Sequence, residues 1–482
     1  MAVPRDRRSS SSWVGLTKVA MFCTLAGLSH MALALDLSAA YEAALAHDPG
    51  IRAARAAAQA GGERLPQARA QWLPSVSFNA SRSKNKLDAS SSNLLGVAQD
   101  GQSEYFSQNQ SLTLRQTVFN RAKSANLEQA GYQVADSDAL LSLEMQNLGV
   151  RVGSAYFNVL LADDQLALLL SQETLLMAQL DAAQKMLIAG SGTRTDIDEV
   201  QARLDMSAAY LLEARQSADY ARQQLVVLIR QPVDQLEPLD AQRMNFSPSN
   251  ESTLLQWQTL ADQHSPEIRV LEARSEVARL QIEKTRAGHM PTLDLVAQRS
   301  ISDSENVTRL NSIYDTRSLG VQLSVPLFAG GYVNSTVRQA LAEHARAVEM
   351  LEAARLDIRL RVHKEFRGVT EGVLRIKALE QAVRSADQLV LSSRKSAQAG
   401  LRTVLDVLKA ESQRMQSLRD LMKARYDYLL SKLRLSELAG AVTQDAVDQI
   451  NGYLRQRGES GLKQRCSAHM IGTMSPNEAT CE

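Results

Sequence analysis

Cysteine is nearly absent from this chain, with three in 482 residues. Cys23 lies in an apolar stretch near the start, and Cys466 and Cys481 lie close to the end. A core stapled by disulfides is therefore excluded, and a Cys466–Cys481 bridge would tie only a tail. Proline is scarce too, at 11 residues, with none between Pro74 and Pro232 or between Pro326 and Pro476. Aromatic residues make up 5% against a hydrophobic content of 44%, an odd ratio for a compact globule of this length. The formal charge of +1 argues against a strongly basic nucleic-acid binder and an acidic tail protein alike. Beyond the first 34 residues no run of about 18 apolar residues occurs, so no membrane-crossing helix is expected.

What is present begins with a targeting pattern over residues 1–34. Arg5, Arg7, Arg8 and Lys18 form a basic segment, Val19 to Leu28 a short apolar core, and Ala32-Leu33-Ala34 a cleavage site. The expectation is a cleaved signal peptide. An exported chain without a membrane helix is either soluble outside the cytoplasm or inserted as a β-barrel.

An internal repeat organises the remainder. Gln129-Ala130 recurs as Gln339-Ala340, Arg151-Val152 as Arg361-Val362, Tyr156 as Phe366, and Ala189-Gly190 as Ala399-Gly400, all at an offset of 210 residues. Repeat 1 is expected over 35–250 and repeat 2 over 251–440, with a tail over 441–482. Each holds a helical lead-in (Leu37 to Arg69, Leu254 to Arg286) interrupted by Pro49 or Pro266. Two strands follow, then a long helical hairpin.

The strands are expected at about 74–86, 108–119, 291–300 and 318–328, from period-two alternation. Leu319, Val321, Leu323, Val325 and Leu327 against Ser318, Gly320, Gln322 and Ser324 give the cleanest case. Polar stretches, Leu87 to Gln110 and Ser302 to Arg317, read as connecting loops. Such segments fit a transmembrane barrel or an ordinary half-buried sheet, and alternation alone does not choose between them.

The hairpins are expected over 120–231 and 329–440, reversing near 190 and 400. Residues 120–188 read as one helix of roughly 100 Å at 1.5 Å per residue. Its apolar positions step by seven, with Leu141, Leu148, Ala155, Ala162, Leu169, Leu176 and Ala183 in one row. Val362, Val369, Ile376, Val383, Val390 and Ala397 repeat that step in the second copy. A sustained heptad stripe means helices coiled around neighbours. Four strands cannot close even the smallest natural barrel, so closure calls for several chains.

Gly190-x-x-Thr193-x-x-Asp196 and Gly400-x-x-Thr403-x-x-Asp406 at the two reversals, with Ala424-Arg425-Tyr426-Asp427-Tyr428 and Leu438-Ala439-Gly440, make residues 36 to about 440 resemble the TolC family. The resemblance implies a mainly α fold with a β-barrel portion: long antiparallel coiled hairpins forming an α-barrel tunnel under a trimeric twelve-stranded outer-membrane barrel. It also implies an export duct, not an enzyme, without cofactor or metal. The expected partners are two further copies, a periplasmic membrane-fusion adaptor, an inner-membrane ABC transporter, an exported protein toxin and outer-membrane lipid, with no nucleic acid. Within the family the chain is most similar to outer-membrane components of type I secretion that export toxins such as cyclolysin. A multidrug efflux duct is the alternative, and a soluble periplasmic coiled-coil adaptor a more distant one.

The same resemblance puts a periplasmic gate at the reversals. Arg402 matches the family's gate arginine, and Thr195 and Asp196 its partners. Asp406 matches one of two constriction aspartates, Lys409 replaces the other, and Ala397 stands where the family has a tyrosine. From the residues alone, Arg402, Asp406 and Lys409 also fit a solvated helix end, and Asp196 fits an acid at a helix N-terminus.

Overall fold

The computed structural model describes residues 34–92, 98–240, 242–244, 253–306 and 309–454. The expected signal peptide and all three cysteines lie outside these residues, apart from Ala34 at the peptide's end. The lead-ins form α1 (Leu37–His47), α2 (Pro49–Gly62), α3 (Arg64–Ala70), α6 (Leu254–His264) and α7 (Pro266–Arg286). Pro49 and Pro266 interrupt the lead-ins by starting a new helix in each, because a first-turn position needs no N–H donor. Asp48 caps α2 by accepting from the Ile51 N–H at 2.9 Å.

The strands β1 (Ser75–Ser92), β2 (Ala98–Phe119), β3 (Thr292–Asn306) and β4 (Arg309–Ser324) form one antiparallel sheet in the order β1-β2-β3-β4. Much of the two polar stretches expected as loops is strand, Ser92 pairing with Ala98 and Asn306 with Arg309. Hairpin pairing needs only backbone donors and acceptors, so polar alternation continues the ladder where the apolar signal stops. At its other end β4 stops at Ser324, earlier than expected, because Pro326 has no N–H to donate. Val76, Leu114, Ala297 and Leu319 lie in register across one face, and Phe78 and Leu112 extend it. Leu319, Val321 and Leu323 on that face are 76%, 67% and 63% exposed. The other face carries Ser77, Thr113, Gln298 and Ser318.

Two very long helices dominate, α4 (Arg121–Ile188) with 68 residues and α8 (Tyr332–Gln398) with 67. Below its middle each pairs with a shorter helix, α5 (Arg194–Ile229) or α9 (Val404–Leu438). Towards the sheet, α7 packs against both α4 and α8, and α2 and α3 pack against α4. The long helices therefore span the height, while shorter ones share the partner role end to end. The heptad row is buried at Leu148, Ala155, Leu176 and Ala183, and at Val362, Ile376 and Val390 in the second copy. Leu187, near the tip, is 36% exposed.

The main core is a belt around the middle of α4. Leu148, Val152, Tyr156, Phe157 and Val159 meet Leu37 and Tyr41 of α1 and Tyr426, Leu429 and Leu433 of α9. The Tyr156 hydroxyl donates to the Leu35 carbonyl at 2.9 Å. Two segments whose fold the sequence leaves open complete the belt. Leu236 bridges Leu35, Leu239 bridges Leu454, and α10 (Gln444–Asn451) buries Val447 and Ile450.

Candidate functional site

The reversals are built from matching local parts. In each, the long helix ends on a glycine of positive φ, 76° at Gly190 and 73° at Gly400. The Ser191 and Leu401 N–H groups reach back to the Met186 and Ser396 carbonyls, closing the first helix with a Schellman motif. Threonine then opens the return helix through a capping box. Asp196 N–H donates to Thr193 Oγ1 while Asp196 Oδ2 accepts from the Thr193 N–H at 3.0 Å. Thr403 and Asp406 repeat this, with the Thr403 N–H 3.1 Å from Asp406 Oδ2. These bonds to the Thr403 backbone and hydroxyl hold the Asp406 carboxyl below its usual range, with Lys409 and Arg402 adding to the effect.

Gly190, Gly400, Thr193 and Thr403 therefore shape the tips, and Asp196 and Asp406 are engaged within their own turns. Arg402 folds back on its own hairpin, its Nη1 donating to the buried Ser393 Oγ at 2.8 Å. Within one chain no hydrogen bond or ion pair among the described residues joins Arg402 to Thr195 or Asp196. Thr195 and Lys409 are exposed.

About two turns above the tips the two hairpins are tied together by groups that the heptad reading passed over. Glu411 on α9 accepts from Arg394 Nε and Nη2 of α8 at 3.1 and 2.7 Å. Its other oxygen accepts from Gln179 Nε2 of α4 at 2.6 Å. Glu411 is buried, whereas Arg394 is 45% exposed. The signal was available in one respect: Glu411 occupies a core position of α9 between Leu408 and Met415, all three buried. At the same height, Leu176, Val200 and Leu408 form an apolar plug between the hairpins. Beside it runs a cleft of about 690 Å3 lined by Tyr210, Ser207, Val390 and Arg394 among others.

Further up, α8 and α9 are joined by Arg414–Asp387 and by Arg425–Glu380 at 2.9 Å. Tyr426 donates to Asp164 Oδ2 of α4 at 2.6 Å. Asp163 beside it accepts from Arg222 of α5, also at 2.6 Å. The second hairpin is thus bound to the first at two heights by small polar sets, each beside buried apolar side chains.

A sheet with one apolar and one polar face, standing on helices about 100 Å long, defines a membrane-seated duct continued by a helical stem. The comparisons with known proteins specify the class. The chain belongs to the outer membrane efflux protein family, whose model matches residues 40–229 and 257–441. It is 31% identical over 428 residues to the proteases secretion protein PrtF of Dickeya chrysanthemi, covering 88% of this chain and 92% of that one. It is 33% identical over 415 residues to the alkaline protease secretion protein AprF of Pseudomonas aeruginosa, covering 86% of each. With the outer membrane protein TolC of Escherichia coli it shares 28% over 445 residues, 89% of this chain and 87% of that one. The crystal structure of VceC from Vibrio cholerae has the same fold, at a TM-score of 0.70 and 21% identity over 84% of this chain and 96% of that one. The protein is accordingly an outer-membrane protein whose helical tunnel lies in the periplasm.

Proposed function

We propose that three copies of this chain form an outer-membrane duct for type I secretion of a protein, working with a periplasmic membrane-fusion adaptor and an inner-membrane ABC transporter. One observation carries the trimer. Among the described residues the sheet has four strands and is open at both β1 and β4. Long edges of this kind demand partners in a membrane, and three chains of four strands supply a twelve-stranded barrel. The protein cargo is supported by the likeness to two protease secretion proteins; a large toxin of the cyclolysin kind falls in the same cargo class.

The gate lies at the periplasmic tips. Arg402, Asp406 and Lys409, with Thr195 and Asp196, act there across chain boundaries, and the Gln179–Glu411–Arg394 cluster holds the second hairpin to the first within each chain. Opening releases a few polar links, each worth about 1–3 kcal/mol, which adaptor binding can supply. The chain does no chemistry of its own.

Deletion of the gene in its native host tests the cargo. Loss of a secreted protein from the medium with unchanged drug susceptibility is the expected result. Unchanged secretion with raised drug susceptibility would establish multidrug efflux instead.

A further inference from the structure

The outward face of the sheet carries charges where a purely lipid-facing surface has none. Phe78, Leu112, Arg299 and Arg317 stand in register across the four strands, on the apolar face. Arg299 and Arg317 are direct cross-strand partners, an arrangement of like charges that weakens a strand pair unless something lies between them. Asp315, two residues from Arg317, does so in part. It accepts from Arg299 Nε and Nη2 at 3.1 and 2.9 Å and lies 3.6 Å from Arg317 Nη2. The triplet keeps one net positive charge, and the Arg317 side chain is 74% exposed.

Nearer the hairpin tips the same face holds Arg82, whose guanidinium lies 5.0 Å from the centre of the Phe106 ring. Towards the helices the face is apolar through Leu319, Val321 and Leu323. The arginines therefore mark the height at which hydrocarbon gives way to headgroups, since arginine is costly deep in the bilayer and tolerated at its edge.

We propose that Arg299 and Arg317, with Asp315 fixing their forks, bind the phosphate of an anionic glycolipid of the outer leaflet. The acyl chains of that lipid would lie on the Leu319–Leu323 surface. Guanidinium pairs suit phosphate because two parallel N–H donors meet two oxygens. A headgroup phosphate also supplies the counter-charge that the Arg299–Arg317 pair lacks. The proposal rests on the barrel reading above.

The test titrates the purified full-length protein in detergent with fluorescent bisphosphorylated lipid A, with its dephosphorylated form, and with phosphatidylglycerol. Binding is read by polarisation, and single-channel conductance is recorded on the same preparations. Wild type is expected to prefer bisphosphorylated over dephosphorylated lipid A by about tenfold, a difference of about 1.4 kcal/mol. Arg299→Gln with Arg317→Gln should abolish that preference while conductance persists, and lumen-facing Arg115→Gln should leave it intact. Should the double variant fail to insert, Arg317→Gln alone carries the test. Equal binding by wild type and conducting variant, or equal binding of phosphatidylglycerol and lipid A, overturns the site and leaves the duct standing. A wild-type protein that never conducts overturns the duct and the site together.

Discussion

The Tyr426 hydroxyl donates to the Asp164 carboxylate at 2.6 Å, joining α9 to α4 across 262 residues of sequence. Both groups are part-buried in the belt, and Arg425 beside Tyr426 is taken up by Glu380. Burial pushes the Asp164 carboxyl above its usual 3.8, and Asp163 adds to this against the pull of Tyr426 and Arg425.

Tyr426→Phe removes the hydroxyl that donates to that carboxylate and should cost about 1–3 kcal/mol of stability, the penalty of a buried acceptor left unmet. Denaturant unfolding of the detergent-solubilised protein measures it. The pH dependence follows from the raised pKa. The folded state holds the Asp164 proton more tightly than the unfolded state, so its stabilising share is full below pH 3.8 and is lost as pH rises through the folded value. Asp164→Asn does not ionise, so wild-type stability should fall relative to the variant as pH rises above 3.8. Parallel profiles would remove Asp164 from this role.

Gln179 and Glu411 meet between the hairpins, so their substitutions should not add. In a double-mutant cycle, Gln179→Ala and Glu411→Ala should show a coupling of about 0.5–2 kcal/mol. Each single variant should also raise the conductance of the channel in planar bilayers. Additive effects on both readouts would mean that the cluster is packing and not a link.

Arg402→Ser frees Ser393 and removes a cation from the tip, and is expected to increase single-channel conductance. An unchanged conductance removes Arg402 from the gate.

Lys409→Asp sets a second acid beside Asp406 on the first turns of α9. Greater cation selectivity and stronger block by divalent cations are expected, read from reversal potentials in a salt gradient. If selectivity is the same before and after, Lys409 does not face the pore.

Gly440 closes α9 with φ of 65°, and a Cβ there would sit 2.5 Å from the His264 carbonyl oxygen. Gly440→Ala therefore meets both an unfavourable backbone conformation and a contact that α6 must yield to. A loss of more than about 1 kcal/mol is expected by thermal or denaturant melting. Gly190→Ala, with the same sign of φ but open space around it, should cost less.

Periodic features are legible in the amino-acid sequence alone. The heptad rows, the alternating strands and the repeat at 210 residues each restate one local rule many times. The reversals are legible for a related reason, since a glycine of positive φ and a Thr-x-x-Asp cap use only neighbouring residues. Strand length is less legible, because the backbone ladder runs on through Lys84 to Ser92 without an apolar face to announce it.

Side-chain partnership lies beyond sequence. Glu411 and Gln179 are 232 residues apart, and nothing in either segment points to the other. The resemblance leads one to expect a partner for Arg402 on the first reversal, yet within one chain it bonds Ser393, nine residues away on its own hairpin. Leu35, Leu236, Leu239 and Leu454 carry no strand pattern, and they pair only because the belt brings three distant segments together. Local periodicity sets which elements form, because each turn or pleat repeats the same short-range energetics. Which polar groups meet is set by the packing of those elements, because burial without a partner is what the native arrangement must avoid.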